Sequence, residues 1–324
     1  MLKKKQEIVP FFSVIIPLYN KECSVCKTLK SVLEQSYEDF EIVIINDGST
    51  DNSEDIVLNF KDSRIKYFYR ENSGVADARN LGIKKATGKF IAFLDADDYW
   101  YPNHLEVLFQ LYLKFPEAGL YSTSYEKRYN SKSTFPANFR NIDAKGEDFL
   151  IVDDFFDSNT IDQIVWTSAC AIPIKIFDSI GLFDNTITHG AGEDTDLWIR
   201  IALHFEVALA TFITATYNLD ATNRISNTNT LKRRFLDFNK FKKEEKINQS
   251  LKKYLDQNRY AISILYKIAG DYRTAKNYRT EINYKNLNTK QKILLWLPRT
   301  LLISFKTIQN KLILMAGFKL SSFE

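Results

Sequence analysis

What this sequence has little of narrows its reading first. Three cysteines cannot build a disulfide framework. Cys23 and Cys26 form a lone CxxC, and Cys170 with the scattered His104, His189 and His204 supplies no second ligand pair for zinc. These cysteines read as ordinary helix residues of a protein in a reducing cytoplasm. So few histidines also leave no Ser-His-Asp arrangement to read. No apolar run reaches 18 residues, so no helix is expected to span a bilayer. The N-terminal "QEIVPFFSVIIP" carries a Glu and a Pro and lacks a small-residue cleavage site, so it reads as a first strand and not a signal peptide. No GxGxxG follows that strand. "GIKKATGKF" places five residues between Gly82 and Gly88, and Phe90 stands where a P-loop needs Ser or Thr. Internal repeats and low-complexity tracts are absent.

What is present is a chain of 324 residues, 45% hydrophobic and 26% charged, enough for a sizeable core. The net charge of +4 hides an asymmetry. Residues 230–324 hold 21 basic against 7 acidic residues, whereas residues 1–229 hold 23 against 33. Such a basic half suggests contact with an anionic surface, lipid or nucleic acid. Because no nucleic-acid-binding module accompanies the charge, lipid is the partner expected.

Strand and helix alternate four times near the start. "FFSVIIPLYN" and "EIVIINDGSTDNS" begin as apolar runs suited to strands buried on both faces. Ser53 is a candidate cap for the helix that follows the second run. "RIKYFYREN" reads as a third strand, and "GVADARNLGIKKATG" as a small-residue helix closed by Gly88. "KFIAFLDADD" is the fourth strand. This alternation predicts an α/β fold with a parallel sheet, in which ligands bind beyond the carboxyl ends of the strands. Asn20, Asp47, Asn72 and Asp95–Asp98 all fall at those ends. From about Pro116 to Asp162 the pattern weakens, as in an insertion with edge strands. "EDTDLWIRIALHF" restores it, with Leu197, Ile201 and Ala202 on one helical face. A boundary near Asn229 divides a catalytic region, residues 1–229, from a helical, basic region, residues 230–324.

The strand end "DADD" poses a physical problem. Two unit charges at 4 Å repel by about 4 kcal/mol at an effective dielectric near 20. A divalent cation with hard oxygen ligands, Mg²⁺ or Mn²⁺, would reverse that repulsion. An acidic turn, with Asp98 capping the next helix, is the plainer alternative.

"VIIPLYNKE", "IVIINDGSTDNS", "ENSGVADARNLGIKKATGKFIAFLDADD" and "GEDTDLWIRIA" occur in that order, and together they resemble the family 2 glycosyltransferases, which have a GT-A fold. The resemblance runs from about Phe12 to Phe205. It implies that Pro17, Tyr19 and Asn20 line a nucleotide pocket with Glu22 close by. It implies further that Asp47 and Ser49, in "NDGS", sit at the base, usually uracil, and that Arg79 lies near the nucleotide. The DXD motif of the family matches Asp95-Ala96-Asp97, with Asp95 near the ribose and Asp97 the ligand of Mn²⁺ or Mg²⁺. In the family the position of Asp194 is the catalytic base, that of Glu193 contacts a sugar, and those of Trp166, Thr167 and Ser168 line the acceptor side. Residue by residue, packing remains an alternative for Tyr19 and turn formation for Asp47. Gly190 and Gly192 admit positive φ or close approach to a ligand. Where many relatives carry a histidine after the base helix, this chain has Asn223 and Arg224, and an arginine there suits a diphosphate.

The activity implied is an inverting, metal-dependent transfer of a sugar from a nucleotide donor, a UDP-sugar, to a hydroxyl of a glycan or lipid-linked glycan. The expected location is the cytoplasm, with peripheral attachment to the inner membrane face through residues 290–324, a basic amphipathic stretch interrupted by Pro298. Packing of that stretch on the catalytic region or on another subunit, as in an oligomer, is the alternative. A sugar-phosphate nucleotidyltransferase and a non-catalytic nucleotide-sugar-binding scaffold stand as rival readings.

Overall fold

The computed structural model describes residues 9–142 and 148–316. The first four strands and their helices follow the expected alternation: β1 (Phe12–Leu18), α1 (Val25–Leu33), β2 (Phe40–Asp47), α2 (Ser53–Leu58), β3 (Ile65–Arg70), α3 (Val75–Lys85) and β4 (Phe90–Phe93). These strands lie in the order β3-β2-β1-β4, all parallel, with β1 central between β2 and β4. The apolar runs are buried on both faces as their composition requires: every residue of β2 and all but Pro17 of β1 are buried.

The rest of the sheet is mixed. It adds β5 (Tyr99–Trp100), α4 (His104–Lys114), β6 (Leu120–Asn130), β7 (Ser133–Pro136), β8 (Phe149–Ile151), α5 (Phe155–Ser158), β9 (Cys170–Pro173), α6 (Ile176–Ile180), α7 (Glu193–Ala202) and β10 (Val207–Asn218). β9 inserts antiparallel between β4 and β6, and β10 then runs parallel to β6. The sheet is thus parallel through its first four strands and again between β6 and β10, and antiparallel where β9 joins the two parts. The weakly patterned stretch also contains more than edge strands: β6 is central, flanked by β9 and β10. Its polar "STS" is buried, and two of its three hydroxyls have partners. Ser122 Oγ donates to the Ile164 carbonyl at 2.8 Å, and Thr123 Oγ1 accepts from Thr214 Oγ1 at 2.8 Å.

Two cap expectations fail. Helix α2 starts at Ser53 itself, and the Ser53 hydroxyl accepts the Lys21 N–H at 2.7 Å instead of capping. Asp98 does not cap α4, whose N-cap is Asn103.

The C-terminal helices are α8 (Glu244–Ile247), α9 (Gln249–Ala269), α10 (Tyr272–Thr280), α11 (Thr289–Trp296) and α12 (Arg299–Ala316). Leu236, Phe238, Phe241, Leu251, Tyr254, Leu255 and Ile262 join the same apolar core as the sheet. A smaller cluster of Tyr260, Ile282, Leu287 and Leu295 packs α9 against α11 and the segment leading into it. Among the described residues no helix is long and apolar enough to cross a membrane. Residues 317–324, the end of the stretch read as membrane-facing, lie outside the described residues.

Helix α3 sits unusually close to the sheet. A Cβ on Gly82 would lie 2.4 Å from Cγ2 of Ile15, which is fully buried on β1. Gly82→Ala gains up to about 1 kcal/mol of helix propensity. Overpacking costs about 1–3 kcal/mol and should win. Urea unfolding is expected to show a loss of about 1–2 kcal/mol, and a variant as stable as the parent would mean that α3 is not held by this contact.

Candidate active site

The carboxyl ends of β1, β2 and β4 open onto one cleft of about 910 Å³. Of the residues singled out in the sequence, Pro17, Tyr19, Asn20, Asp47, Arg79, Asp95, Ala96, Asp97 and Glu193 line it. The segment after β10, including Asn223 and Arg224, closes another side. Tyr19 is 46% exposed at the rim, which excludes simple core packing as its role.

Asp47 ends β2 with a buried carboxylate. Its Oδ1 accepts the Ser73 N–H at 3.1 Å and its Oδ2 the Gly74 N–H at 2.8 Å, while Arg70 Nε lies 3.3 Å away. Burial nevertheless raises its pKa, against the pull of those hydrogen bonds and Arg70. Two carboxylate oxygens offer about four acceptor positions, so acceptor capacity remains.

The three acids after β4 escape mutual repulsion in three ways. Asp95 Oδ1 meets Arg79 Nη2 at 2.8 Å. Asp97 Oδ2 meets Lys21 Nζ at 2.6 Å. Asp98 is wholly buried, and its oxygens accept from Asn218 N at 2.9 Å and Ser168 Oγ at 2.7 Å. Burial, and then the charges of Asp97 and Asp95, push its pKa well above its ordinary value, against the pull of those two hydrogen bonds.

Arg79 does more than line the cleft. It is 3% exposed, and its Nη1 lies 3.0 Å from Glu193 Oε1. One guanidinium thus joins the acidic strand end to the start of α7, 114 residues further along the chain. Gly192 supplies the turn into α7 with φ +105°, a left-handed conformation that a side chain would resist. Glu193 and Asp194 occupy the first turn, where the helix dipole favours negative charge. Asp194 is half-buried, and its Oδ1 accepts the Thr195 N–H at 2.6 Å. It stands beside Glu193 behind the cleft lining and does not itself line the main cavity.

Other singled-out residues brace the site. Glu22 Oε2 accepts from Asn52 N at 3.0 Å and Nδ2 at 2.8 Å. Ser49 Oγ accepts the Asn20 N–H at 3.1 Å. Ser168 Oγ accepts the Asp95 N–H at 3.1 Å while donating to Asp98. Trp166 is buried between the rings of Tyr125 and Tyr217, each centroid 4.8 Å away, and Thr167 is buried too. Trp166, Thr167 and Ser168 therefore stand behind the acids and do not line this cleft. His189 is a loop residue with φ +58° at the cleft edge. Sequence reasoning missed Lys21, although it lies between Asn20 and Glu22, both singled out. It also missed Tyr217, whose hydroxyl accepts from Arg224 Nη2 at 2.8 Å.

Glu193 has a raised pKa of about 7: burial pushes it up most, Asp194 adds to this, and Arg79 pulls back less. The unfolded value is near 4.3. Between those pH values the folded protein binds the extra proton, so this group's contribution to stability is full below about pH 4.3 and is lost as pH rises through about 7. Glu193→Gln should remove that slope, worth at most about 4 kcal/mol. Urea unfolding of parent and variant at pH 5 and pH 7.5 reads it, and identical slopes would refute the assignment.

The glycosyl transferase family 2 model matches residues 13–167. An uncharacterized glycosyltransferase of Rickettsia bellii is 39% identical over 195 residues, 59% of this chain but 26% of that protein. The Escherichia coli UDP-Glc:alpha-D-GlcNAc-diphosphoundecaprenol beta-1,3-glucosyltransferase WfgD is 46% identical over 103 residues, 32% of this chain and 41% of that protein. The chain thus spans well under two thirds of these relatives. The crystal structure of S. aureus TarS 1-349 superposes with a TM-score of 0.55 at 18% identity, covering 85% of this chain and 91% of TarS 1-349. A second structure of that protein, in complex with UDP-GlcNAc, gives 0.54 at 17% identity over the same shares. The sheet with its flanking helices is a GT-A fold, and the chain carries a family 2 glycosyltransferase domain over residues 13–167.

Proposed function

We propose that this protein is an inverting glycosyltransferase that moves a sugar from a UDP-sugar to a hydroxyl of a glycan or lipid-linked glycan. The observation that carries the reading is the Arg79 bridge, which joins Asp95 of "DAD" to Glu193 of "ED" across one cleft, with Asp194 next to Glu193 in the chain. The UDP-Glc donor of WfgD and the UDP-GlcNAc complex of TarS support the donor class.

In this reading Asp47 accepts the N–H of the uracil ring, and the exposed face of Tyr19 packs on the base. Asp97 is the residue that would hold Mn²⁺ or Mg²⁺. The donor set fits only in part: among the described residues no three metal-binding side chains cluster, so diphosphate oxygens must complete the shell. The ion, when bound, offsets the charge that builds on the diphosphate. Arg224 also lines the cleft and suits the same charge. The buried Oε2 of Glu193 has no hydrogen-bond partner among the described residues, and a sugar hydroxyl would satisfy it.

Asp194 takes the proton of the acceptor hydroxyl. The acceptor oxygen bonds to the anomeric carbon as the bond to diphosphate breaks on the opposite face, so the configuration inverts without a covalent enzyme intermediate. Asp194→Asn should lower transfer by about 10²–10⁴-fold while UDP-sugar binding persists. A thermal-shift screen of UDP-, GDP- and dTDP-sugars with and without Mn²⁺, beside a transfer assay, tests donor, metal and base together. Retained transfer in the variant would remove Asp194 from the mechanism.

The same reading places the protein at the cytoplasmic membrane face. Helix α12 buries Leu302 and Ile313, but exposes Leu301, Phe305, Ile308 and Met315 along another face. Residues 289–316 carry Lys290, Lys292, Arg299, Lys306 and Lys311 and no acid. That pattern complements an anionic lipid surface and opposes self-pairing through like charge. Vesicles with about a third anionic lipid should sediment the protein, with binding falling at least tenfold when Leu301, Phe305 and Ile308 are changed to Ser. Equal sedimentation of the two proteins would count against attachment through α12.

A further inference from the structure

Among the described residues, Lys21 hydrogen-bonds both to the acid assigned to the metal and to the segment closing the cleft. Its ammonium donates to Asp97 Oδ2 at 2.6 Å, to the Asn223 carbonyl at 3.0 Å and to the Thr222 carbonyl at 3.4 Å. Its backbone N–H is held by Ser53 Oγ at 2.7 Å, so the side chain starts from a fixed point. Both side chains of the pair are 13% exposed, which limits screening by water. A carboxylate and two carbonyls around one positive centre form the all-oxygen surroundings that a hard cation takes. A second cation cannot approach Asp97 closely while the ammonium stays there, because like charges at such separations repel strongly in a half-dry cleft.

We propose that Lys21 is a resident counter-cation that keeps divalent ions off Asp97 until a diphosphate arrives. The diphosphate brings negative charge of its own, which draws the ammonium off Asp97 and leaves that carboxylate open to the metal. Metal entry is thereby made dependent on the donor, and the empty protein does not collect metal ions. The inference rests on the assignment of Asp97 as metal ligand made above, and adds the residue that controls access to it.

The test measures Mn²⁺ binding to the full chain by electron paramagnetic resonance, with no nucleotide present, in the parent, Lys21→Met, Lys21→Arg and Lys21→Met/Asp97→Asn. Circular dichroism checks that each variant is folded. Lys21→Met should bind Mn²⁺ at least tenfold more tightly than the parent. Lys21→Arg, which keeps the charge, should stay like the parent, and the double variant should lose the gain. Equilibrium dialysis against matched UDP should show protein-bound Mn²⁺ rising in the parent far more than in Lys21→Met. Equal Mn²⁺ affinity in the parent and Lys21→Met, or a gain that survives Asp97→Asn, overturns the proposal while leaving the metal assignment standing. No Mn²⁺ bound by the parent even with UDP overturns both. If Lys21→Met does not fold, Lys21→Gln replaces it under the same criteria.

Discussion

The buried guanidinium of Arg79 is the interaction on which the cleft depends. It satisfies Asp95 at one end and Glu193 at the other, so a strand end and a helix start far apart in the chain share one cation. Such a group is weak evidence for stability, since desolvation offsets most of the Coulombic gain. It is strong evidence for constraint, because removing one member of a buried pair costs about 3–5 kcal/mol. The constraint reaches back to the sheet through helix α3. Arg79 lies one turn from Gly82, where the helix comes close enough to Ile15 to leave no room for a Cβ. The absence of a methyl group thus helps to set where a guanidinium sits, and the guanidinium sets where two carboxylates sit.

The question raised by three acids in four residues has an electrostatic answer within the protein. Each acid differs from its neighbours in environment, and so in use. Asp95 is tied to Arg79, Asp98 is buried among hydrogen-bond donors, and Asp97 alone is paired to the tip of a long, flexible side chain. Of the three partnerships, that one is the easiest to exchange for a ligand. A cleft that must hold charge in both its empty and filled states needs one such exchangeable pair, and the other two acids hold the frame around it.

Much of this was legible in the sequence, for identifiable reasons. Continuous apolar runs and polar turns gave away β1, β2 and β4 because buried parallel strands have no solvent face to encode, whereas β3 is a half-exposed edge strand. The strand ends then collected Asn20, Asp47, Asp95 and Asp97 at one rim without any knowledge of contacts. β6 was harder to read, since the buried hydroxyls of Ser122 and Thr123 find partners at Ile164 and Thr214, which local pattern does not reveal. The bridging role of Arg79 and the pairing of Lys21 are likewise long-range facts, spanning 114 and 76 residues. The placements of Ser53 and Asp98 as caps failed for the same reason: tertiary partners claimed side chains that local rules assign to helix ends.

Composition suggested a separate basic region after Asn229, but packing ties that region to the base helix. Asp196 is fully buried on α7, and its carboxylate meets Arg200 Nε at 2.9 Å and Lys240 Nζ at 2.5 Å. Leu236 N donates to the Ala191 carbonyl at 3.2 Å, immediately before Gly192, and Thr188 N donates to the Arg234 carbonyl at 3.1 Å. The strap from Arg234 to Lys240 therefore fixes both the loop that enters α7 and the first turn of that helix. Further on, Asp256 and Glu245 hold the buried Arg259, anchoring α8 and α9 beside the strap. The position of Asp194 is accordingly set from two directions, by Arg79 through its neighbour Glu193 and by the strap through Asp196. The basic C-terminal region is as much a part of the wall that orients the candidate base as it is a surface facing outward. Charge distribution is visible in the sequence, but the core that crosses the boundary is visible only once the chain has folded.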